Sequence, residues 1–134
     1  MYTSTMQEET IHLYIPAITP SQNVVDRINR WDRIALRDDW YYRVKEAVQN
    51  SKQDPSKWTK EPRSILILRV STRLIDDGNV ASGCKYLIDA LKKEQIIVDD
   101  SRKWARISFD QRKTDKGESP YMEILITPLR TNPE

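Results

Sequence analysis

The sequence predicts an α/β (α+β) fold, in which a small mixed β-sheet packs with two main helices in a single domain, residues 1–134. Strand-like and helix-like segments follow one another in the order β, α, β, α, β, β, which is typical of a mixed sheet with helices packed against it. One segment, Ile65 to Leu68, is apolar at every position, as expected for a central strand covered on both faces. A chain of 134 residues that is 38% hydrophobic has room for one core.

The N-terminal half predicts one strand and one long helix. Residues 11–15 form a short strand that stops at a proline, and residues 20–23 have the composition of a turn. Between about residues 24 and 48 apolar side chains recur with helical spacing, and Asp38-Asp39 marks a candidate break in that helix. Residues 50–62 are polar and contain two prolines, so we expect a surface connection there.

The C-terminal half predicts one helix and several strands. Residues 64–70 form a buried strand, and the apolar positions of residues 80–91 lie on one stripe of a helix. Ile96 to Val98 is predicted as a second apolar strand. Residues 105–109 alternate between apolar and polar side chains, and residues 121–126 return as the last strand after a turn.

Two tight acidic clusters flank the second helix. Asp76-Asp77, with Asn79, comes after the buried strand, and Asp99-Asp100, with Ser101, follows the segment that ends at Val98. One such pair alone is better explained as a helix cap or an Asp-rich turn. Two pairs favour a metal site over this explanation, because like charges brought together are unfavourable without a counter-cation. Mg²⁺ prefers oxygen ligands, so the clusters predict a magnesium site with Mn²⁺ as a substitute.

Composition excludes several other classes of chemistry. The net charge is only +2, although residues 28–73 contain 11 basic and 6 acidic side chains. The single cysteine, Cys84, cannot form an internal disulfide, and the single histidine, His12, is better explained as a strand residue than as a catalytic base. No apolar run approaches the roughly 20 residues that span a bilayer, and the N-terminus lacks the pattern of a signal peptide. We therefore expect a cytoplasmic protein with no membrane partner.

The motifs resemble, in order and approximate spacing, those of the RusA family of Holliday junction resolvases, which are small phage and bacterial endonucleases. Pro20 to Asn23 is similar to the family's early Pro-Ser-x-Asn segment and is followed by basic and aromatic residues. Asp76 to Asn79 is similar to its Asp-x-Asp-Asn motif. Lys85, Asp89-Ala90-Leu91 and Asp99-Asp100 then follow in the family's order, so the resemblance covers most of the chain.

The resemblance implies a homodimeric, Mg²⁺-dependent endodeoxyribonuclease that nicks four-way DNA junctions in recombination and repair, of phage or prophage origin. By position it implies metal ligands at Asp76, Asp99 and Asp100, with Asp77 as a further candidate ligand, catalytic roles for Asp76, Asp100 and Lys85, and supporting roles for Asn79 and Ser101. The DNA contacts that we expect come from the loop and first helix and from the residues before the acidic cluster: Asn23, Arg27, Arg30, Arg33, Arg37 and Arg73. Trp31 and Trp40 could stack on unpaired bases, but such tryptophans are more often core residues.

One position departs from the family pattern. Gly78 stands where the Asp-x-Asp-Asn motif has its second aspartate. Asp77 could replace that carboxylate after a one-residue shift, or the site could work with the remaining three. The alternative is a catalytically degenerate protein that binds DNA junctions without cutting them. A third class is an unrelated α/β interaction protein whose acidic residues only cap helices.

Overall fold

The computed structural model describes residues 10–129 and contains one four-stranded sheet and four α-helices. The helices are α1 (Gln22–Arg27), α2 (Arg30–Ser51), α3 (Asp77–Gly83) and α4 (Lys85–Lys93), and a short 3₁₀ helix spans Pro55–Lys57. The strands are β1 (Ile11–Ile15), β2 (Arg63–Ser71), β3 (Ala105–Lys113) and β4 (Tyr121–Pro128). The predicted single α+β domain with a mixed sheet is therefore confirmed.

The strand order of the sheet is β1-β4-β2-β3. Strand β4 is antiparallel to both of its neighbours, whereas β2 and β3 are parallel and in register from Arg63 opposite Ala105 to Ser71 opposite Lys113. Parallel strands need a crossover connection, and α3 and α4 supply it. The crossover carries the chain from the carboxyl end of β2 back to the amino end of β3, so it runs the full length of the two parallel strands.

The core lies between one face of the sheet and the helices, because alternate strand residues point to the same face. Helix α2 packs against β1 and α4. The fully buried side chains come from both layers and include Leu13, Ile65, Ile67, Ile124, Ile126, Val44, Leu87 and Leu91. Among the described residues the helices cover only this face. Leu66 on the opposite face is 40% exposed, so the prediction that residues 65–68 are covered on both faces is wrong.

The long N-terminal helix is two helices rather than one. The chain breaks at Ile28 and Asn29, where the Asn29 side chain accepts a hydrogen bond from the Asp32 N–H at 2.8 Å and caps α2. The candidate break at Asp38-Asp39 is wrong, because α2 continues through it. Arg43 pairs with Asp39 one turn later at 2.8 Å, as expected for two such charges on one helix face.

The predicted single helix over residues 80–91 is interrupted at Cys84, whose backbone (φ −89°, ψ 9°) separates α3 from α4. The apolar stripe itself is confirmed, since Val80, Cys84, Leu87 and Leu91 are all buried. The predicted strand at Ile96 to Val98 is wrong. Those residues form the turn after α4, closed by a hydrogen bond from the Ile96 N–H to the Leu91 carbonyl at 3.0 Å. Ile96 and Ile97 are apolar because the turn is buried.

The connection between β3 and β4 contains an ion pair that makes stability depend on pH. The Arg112 guanidinium donates to both Glu118 carboxylate oxygens, at 3.0 and 3.2 Å, and lowers the pKa of Glu118 from 4.5 to about 2. A lowered pKa in the folded state contributes stability at pH values above the unfolded pKa, and this stability is lost as pH falls through the folded pKa.

We therefore expect the melting temperature of the wild type to fall more steeply between pH 4.5 and 2 than that of Glu118→Gln. Thermal unfolding followed by circular dichroism at a series of pH values measures the difference. Glu46→Gln, at an exposed position on α2, is the matched control and should keep the wild-type slope. Equal slopes for all three proteins would contradict the role of the Arg112 pair.

Candidate active site and nucleic-acid interface

The first acidic pair lies beyond the carboxyl end of β2, at the start of α3. Both Asp76 and Asp77 are exposed. The Gln111 side chain of β3 donates to the Asp77 carboxylate at 2.9 Å and to the Ile75 carbonyl at 2.5 Å, and it accepts from the Ile75 N–H at 3.1 Å. One side chain thus fixes the loop that presents the pair.

The rest of the Asp76 to Asn79 motif forms the first turn of α3. The half-buried Asn79 donates its backbone N–H to the Asp76 carbonyl at 2.9 Å. Gly78 is exposed, and a Cβ atom built there would meet nothing within 4 Å. A side chain at position 78 therefore has room.

The second acidic pair lies in the loop between α4 and β3. The Lys92 ammonium is 3.7 Å from a carboxylate oxygen of Asp99 and 3.7 Å from one of Asp100, and 4.0 Å from Asp89. A hydrogen bond from the Asp100 backbone lowers the pKa of Asp99, and Lys92 adds to the effect. The Ser101 side chain is exposed, while its carbonyl accepts from the Ala105 N–H at 2.9 Å. This pair already has a counter-cation in Lys92.

The two acidic pairs lie at opposite ends of the parallel strands β2 and β3. The first is bound to Gln111 near the end of β3, and the second adjoins Ala105 at the start of β3. Ala105 and Gln111 are six positions apart along the strand, a length of about 20 Å. No group of three or more His, Cys, Asp or Glu side chains within residues 10–129 could hold a metal ion. Within these described residues the structure therefore does not bring Asp76, Asp77, Asp99 and Asp100 together as one group of ligands in a single chain, and Mg²⁺ binding by them stays a prediction.

Lys85, in contrast, lies close to the predicted DNA-binding residues. It is exposed at the first position of α4 and lines a cleft of about 170 Å³ together with Asp26, Arg33 and Tyr86. Helix α1 packs against α3, and the packing is tight because Gly83 lies directly against the Pro20 carbonyl. The structure thus brings Lys85 and the loop before α1 together at the end of the sheet where the first acidic pair lies.

The predicted DNA-binding residues differ in how they are held. Asn23, Arg27, Arg30 and Arg73 are exposed. The guanidinium of Arg33 donates to the Val25 and Asp26 carbonyls, at 3.3 and 3.4 Å, and so ties α2 to the end of α1. Arg37 is half-buried, pairs with Asp38 at 3.0 Å and lies over the Tyr41 ring. Arg33 and Arg37 therefore also stabilise the helices.

The two tryptophans of α2 have different environments. Trp40 is 2% exposed in the core, which confirms the core prediction for it. Trp31 is 74% exposed, so the same prediction is wrong for Trp31. The Arg30 guanidinium lies 5.8 Å from the centroid of the Trp31 ring. An aromatic face and a guanidinium are thus presented together at the start of α2.

The side chains of Cys84 and His12, which the sequence disfavours as catalytic groups, make contacts outside the candidate site. Cys84 is buried, which raises the pKa of its thiol to about 11 and keeps it protonated. His12 lies in β1 as predicted, and its Nε2 atom is 2.6 Å from the Glu123 carboxylate. In the part of the chain that the structure describes, no helix is long and apolar enough to cross a membrane.

Sequence reasoning missed two residues that organise the candidate site. Gln111 is 36 positions from the loop that it holds, and no local pattern signals that contact. Lys92 lies on the polar side of an amphipathic helix, where lysine is ordinary. No protein-family model matches the chain, and no curated protein matches it.

Proposed function

We propose that this protein is a structure-selective, Mg²⁺-dependent endodeoxyribonuclease that nicks four-way DNA junctions as a homodimer. The sequence motifs shared with the RusA resolvases suggest the reaction. The observation that best supports it in three dimensions is the grouping of Asp76-Asp77, Lys85 and the basic start of α2 at one end of the sheet. Carboxylates at the same end of the sheet as exposed cations suit a phosphate backbone that is bound by positive charge and cut nearby.

The separation of the acidic pairs makes the dimer part of the proposal. A cation that uses both pairs must take Asp76-Asp77 from one chain and Asp99-Asp100 from the other, because the two pairs of one chain are too far apart. Two equivalent sites would then form by symmetry. A four-way junction has approximate two-fold symmetry and offers two equivalent strands, so two such sites match the substrate.

The roles of the other residues follow from their charge. Lys85 would stabilise the negative charge that grows on the scissile phosphate. Arg27, Arg30 and Arg73 would contact phosphates and set the position of the junction, which makes binding depend on salt. Trp31 would stack on a base at the crossover, where the bases are least well paired.

Cleavage of a labelled synthetic junction tests this function. Four-way junction, linear duplex and single strand are incubated with Mg²⁺, with Mn²⁺ and with EDTA. We expect paired nicks near the crossover of the junction with either metal, no nicks with EDTA and little cutting of the other two substrates. Cutting of all substrates alike, or neither binding nor cutting of the junction, would refute the proposal.

Two observations favour a second candidate, a junction-binding protein that has lost cleavage. Gly78 replaces a carboxylate of the family motif, and Lys92 already forms ion pairs with both carboxylates of the second acidic pair. Gly78→Asp discriminates between the candidates, since the space at position 78 is open. A degenerate protein would bind the junction without cutting it and gain Mg²⁺-dependent nicking in the variant. An active nuclease would already cut with Gly78 in place.

Removing two cations from the start of α2 and the end of α1 should weaken junction binding uniformly. For Arg27→Ala/Arg30→Ala we expect the slope of log affinity against log salt concentration to fall by about two, one for each lost phosphate contact. Fluorescence anisotropy with a labelled junction at several salt concentrations measures the slope. Lys45→Ala/Lys116→Ala removes the same charge at exposed sites outside this region and should leave the slope unchanged. Equal slopes for the two variants would contradict this interface.

A further inference from the structure

Strand β3 is an edge of the described sheet and is long for an exposed edge. It is nine residues long and pairs only with β2 among residues 10–129. Exposed edges are usually short, or carry proline, a bulge or charged side chains, because their unpaired backbone groups invite another strand. The opposite edge, β1, has five residues and is followed by Pro16. Strand β3 contains no proline, and its charged residues include both signs, so they need not repel a second copy of the same strand.

The ladder with β2 shows which backbone groups of β3 face outward. The Arg63 N–H donates to the Trp104 carbonyl at 2.8 Å, and the Thr114 N–H donates to the Ser71 carbonyl at 3.0 Å. Even-numbered residues of β3 therefore direct their backbone groups toward β2, because both groups of a strand residue point to the same side. The N–H and C=O groups of Ile107 and Phe109 point away from the sheet. They form a short template for an antiparallel strand.

The side chains of β3 are complementary in charge to those of a second, antiparallel copy of β3. Arg106, Ser108 and Asp110 are exposed on the open face of the sheet. A two-fold axis at Ser108 places Arg106 of each copy directly opposite Asp110 of the partner subunit. The same axis pairs Ile107 with Phe109 of the partner subunit on the face that carries the helices. An axis at Phe109 would instead oppose Arg106 and Arg112, two like charges.

We propose that β3 is a homodimer interface, in which two copies of this chain pair antiparallel about a two-fold axis at Ser108 and form a continuous eight-stranded sheet. Ile107 and Phe109 of each copy exchange four backbone hydrogen bonds across the axis. Two Arg106–Asp110 pairs fix the register, because opposite charges at directly opposed positions stabilise a strand pair and like charges destabilise it.

This interface also explains how the two acidic pairs meet, a consequence that rests on the proposed function. The axis places Gln111 opposite Ala105 of the partner subunit, with about 5.5 Å between their Cα atoms. Gln111 holds Asp77, and Ala105 is bonded to the loop that carries Asp100. Because the axis is perpendicular to the sheet, the helices of both copies lie on the same face. Asp76-Asp77 of each copy then lies beside Asp99-Asp100 of the other copy, so the dimer has two equivalent sites.

A charge exchange tests the register without DNA. Arg106→Asp and Asp110→Arg each place two like-charge pairs across the axis, and we expect either to raise the dimer dissociation constant about tenfold or more. The double variant restores opposite charges in reverse order and should return the constant to near the wild-type value. Analytical ultracentrifugation over a dilution series measures it, with circular dichroism to verify folding. Single variants that dimerise like the wild type, or a double variant no better than the singles, would overturn the interface.

A cross-link tests the axis itself. Ser108 faces its own copy in a non-hydrogen-bonded pair with Cα atoms about 4.5 Å apart, which is within the range of a disulfide. Ser108→Cys should form a covalent dimer on mild oxidation, whereas the exposed Lys113→Cys on the same strand, far from its own copy, should not. The buried Cys84 does not compete. Absence of the Ser108→Cys dimer, or equal cross-linking of both variants, would overturn the proposal.

The interface and the proposed function can fail separately. A protein that cuts junctions in the presence of Mg²⁺ but does not cross-link through position 108 would refute the interface and leave the function standing. A protein that cross-links through position 108 but neither binds nor cuts a junction would support the interface and refute the function.

Discussion

A mixture of Asp76→Asn and Asp100→Asn proteins is expected to recover junction nicking that neither variant shows alone. If each site takes the first acidic pair from one chain and the second from the other, every site of either homodimer lacks one carboxylate. In a mixed dimer, one site carries both substitutions and the other carries none. Each variant alone should lose cleavage on the order of 100-fold, as when a group that stabilises the transition state is removed.

After subunit exchange, about half of the dimers are mixed and each has one intact site, so about a quarter of the wild-type sites return. These dimers should make single nicks rather than paired ones. A mixture of Asp76→Asn with Asp77→Asn is the matched control, because both changes affect the first acidic pair and no intact site can form. Quantification of nicked and resolved junction on denaturing and native gels separates the outcomes. No recovery in the first mixture would contradict a site shared between chains.

Replacing Gly83 by alanine is expected to destabilise the fold. A Cβ atom at Gly83 would lie 2.1 Å from the Pro20 carbonyl oxygen and 3.2 Å from its carbon. Both atoms belong to the backbone, so α3 must move away from the loop before α1. The cost of such overpacking is about 1 to 3 kcal/mol in the free energy of unfolding. Chemical denaturation followed by circular dichroism measures it.

Gly78→Ala is the control for this change, because it replaces a second glycine of the same helix. Nothing lies within 4 Å of a Cβ atom at Gly78, and alanine is the better helix former. We expect Gly78→Ala to be as stable as the wild type or slightly more stable, by about 0.5 kcal/mol. If Gly83→Ala were as stable as Gly78→Ala, the close packing of α1 against α3 would be wrong.

Much of the fold could be predicted because its signals are local. The alternation of Ile11, Leu13 and Ile15 and the spacing of Val80, Cys84, Leu87 and Leu91 identified residues that are buried. The errors arose where one pattern has two physical causes. Ile96 and Ile97 are apolar because they lie in a buried turn, and a short apolar run cannot distinguish such a turn from a strand.

The candidate site was less predictable than the fold. Each acidic pair was placed correctly next to a core element, but whether two pairs meet depends on the direction of the chain between them. The crossover through α3 and α4 returns to the start of the parallel strand β3, and so it carries the second acidic pair to the opposite end of the strands from the first pair. The contact between Gln111 and Asp77 spans 34 positions and had no local signal.

By itself, the sequence determined the class of fold, most of the core and the order of the acidic, basic and aromatic motifs, because side-chain polarity and periodicity are properties of neighbouring residues. Only the tertiary structure decided that Lys85 lies beside Arg33, that Asp99 and Asp100 lie beside Lys92, and that β3 is an exposed edge with complementary charges. These relations depend on which strands pair and in which direction, and that choice is made by packing across the whole sheet.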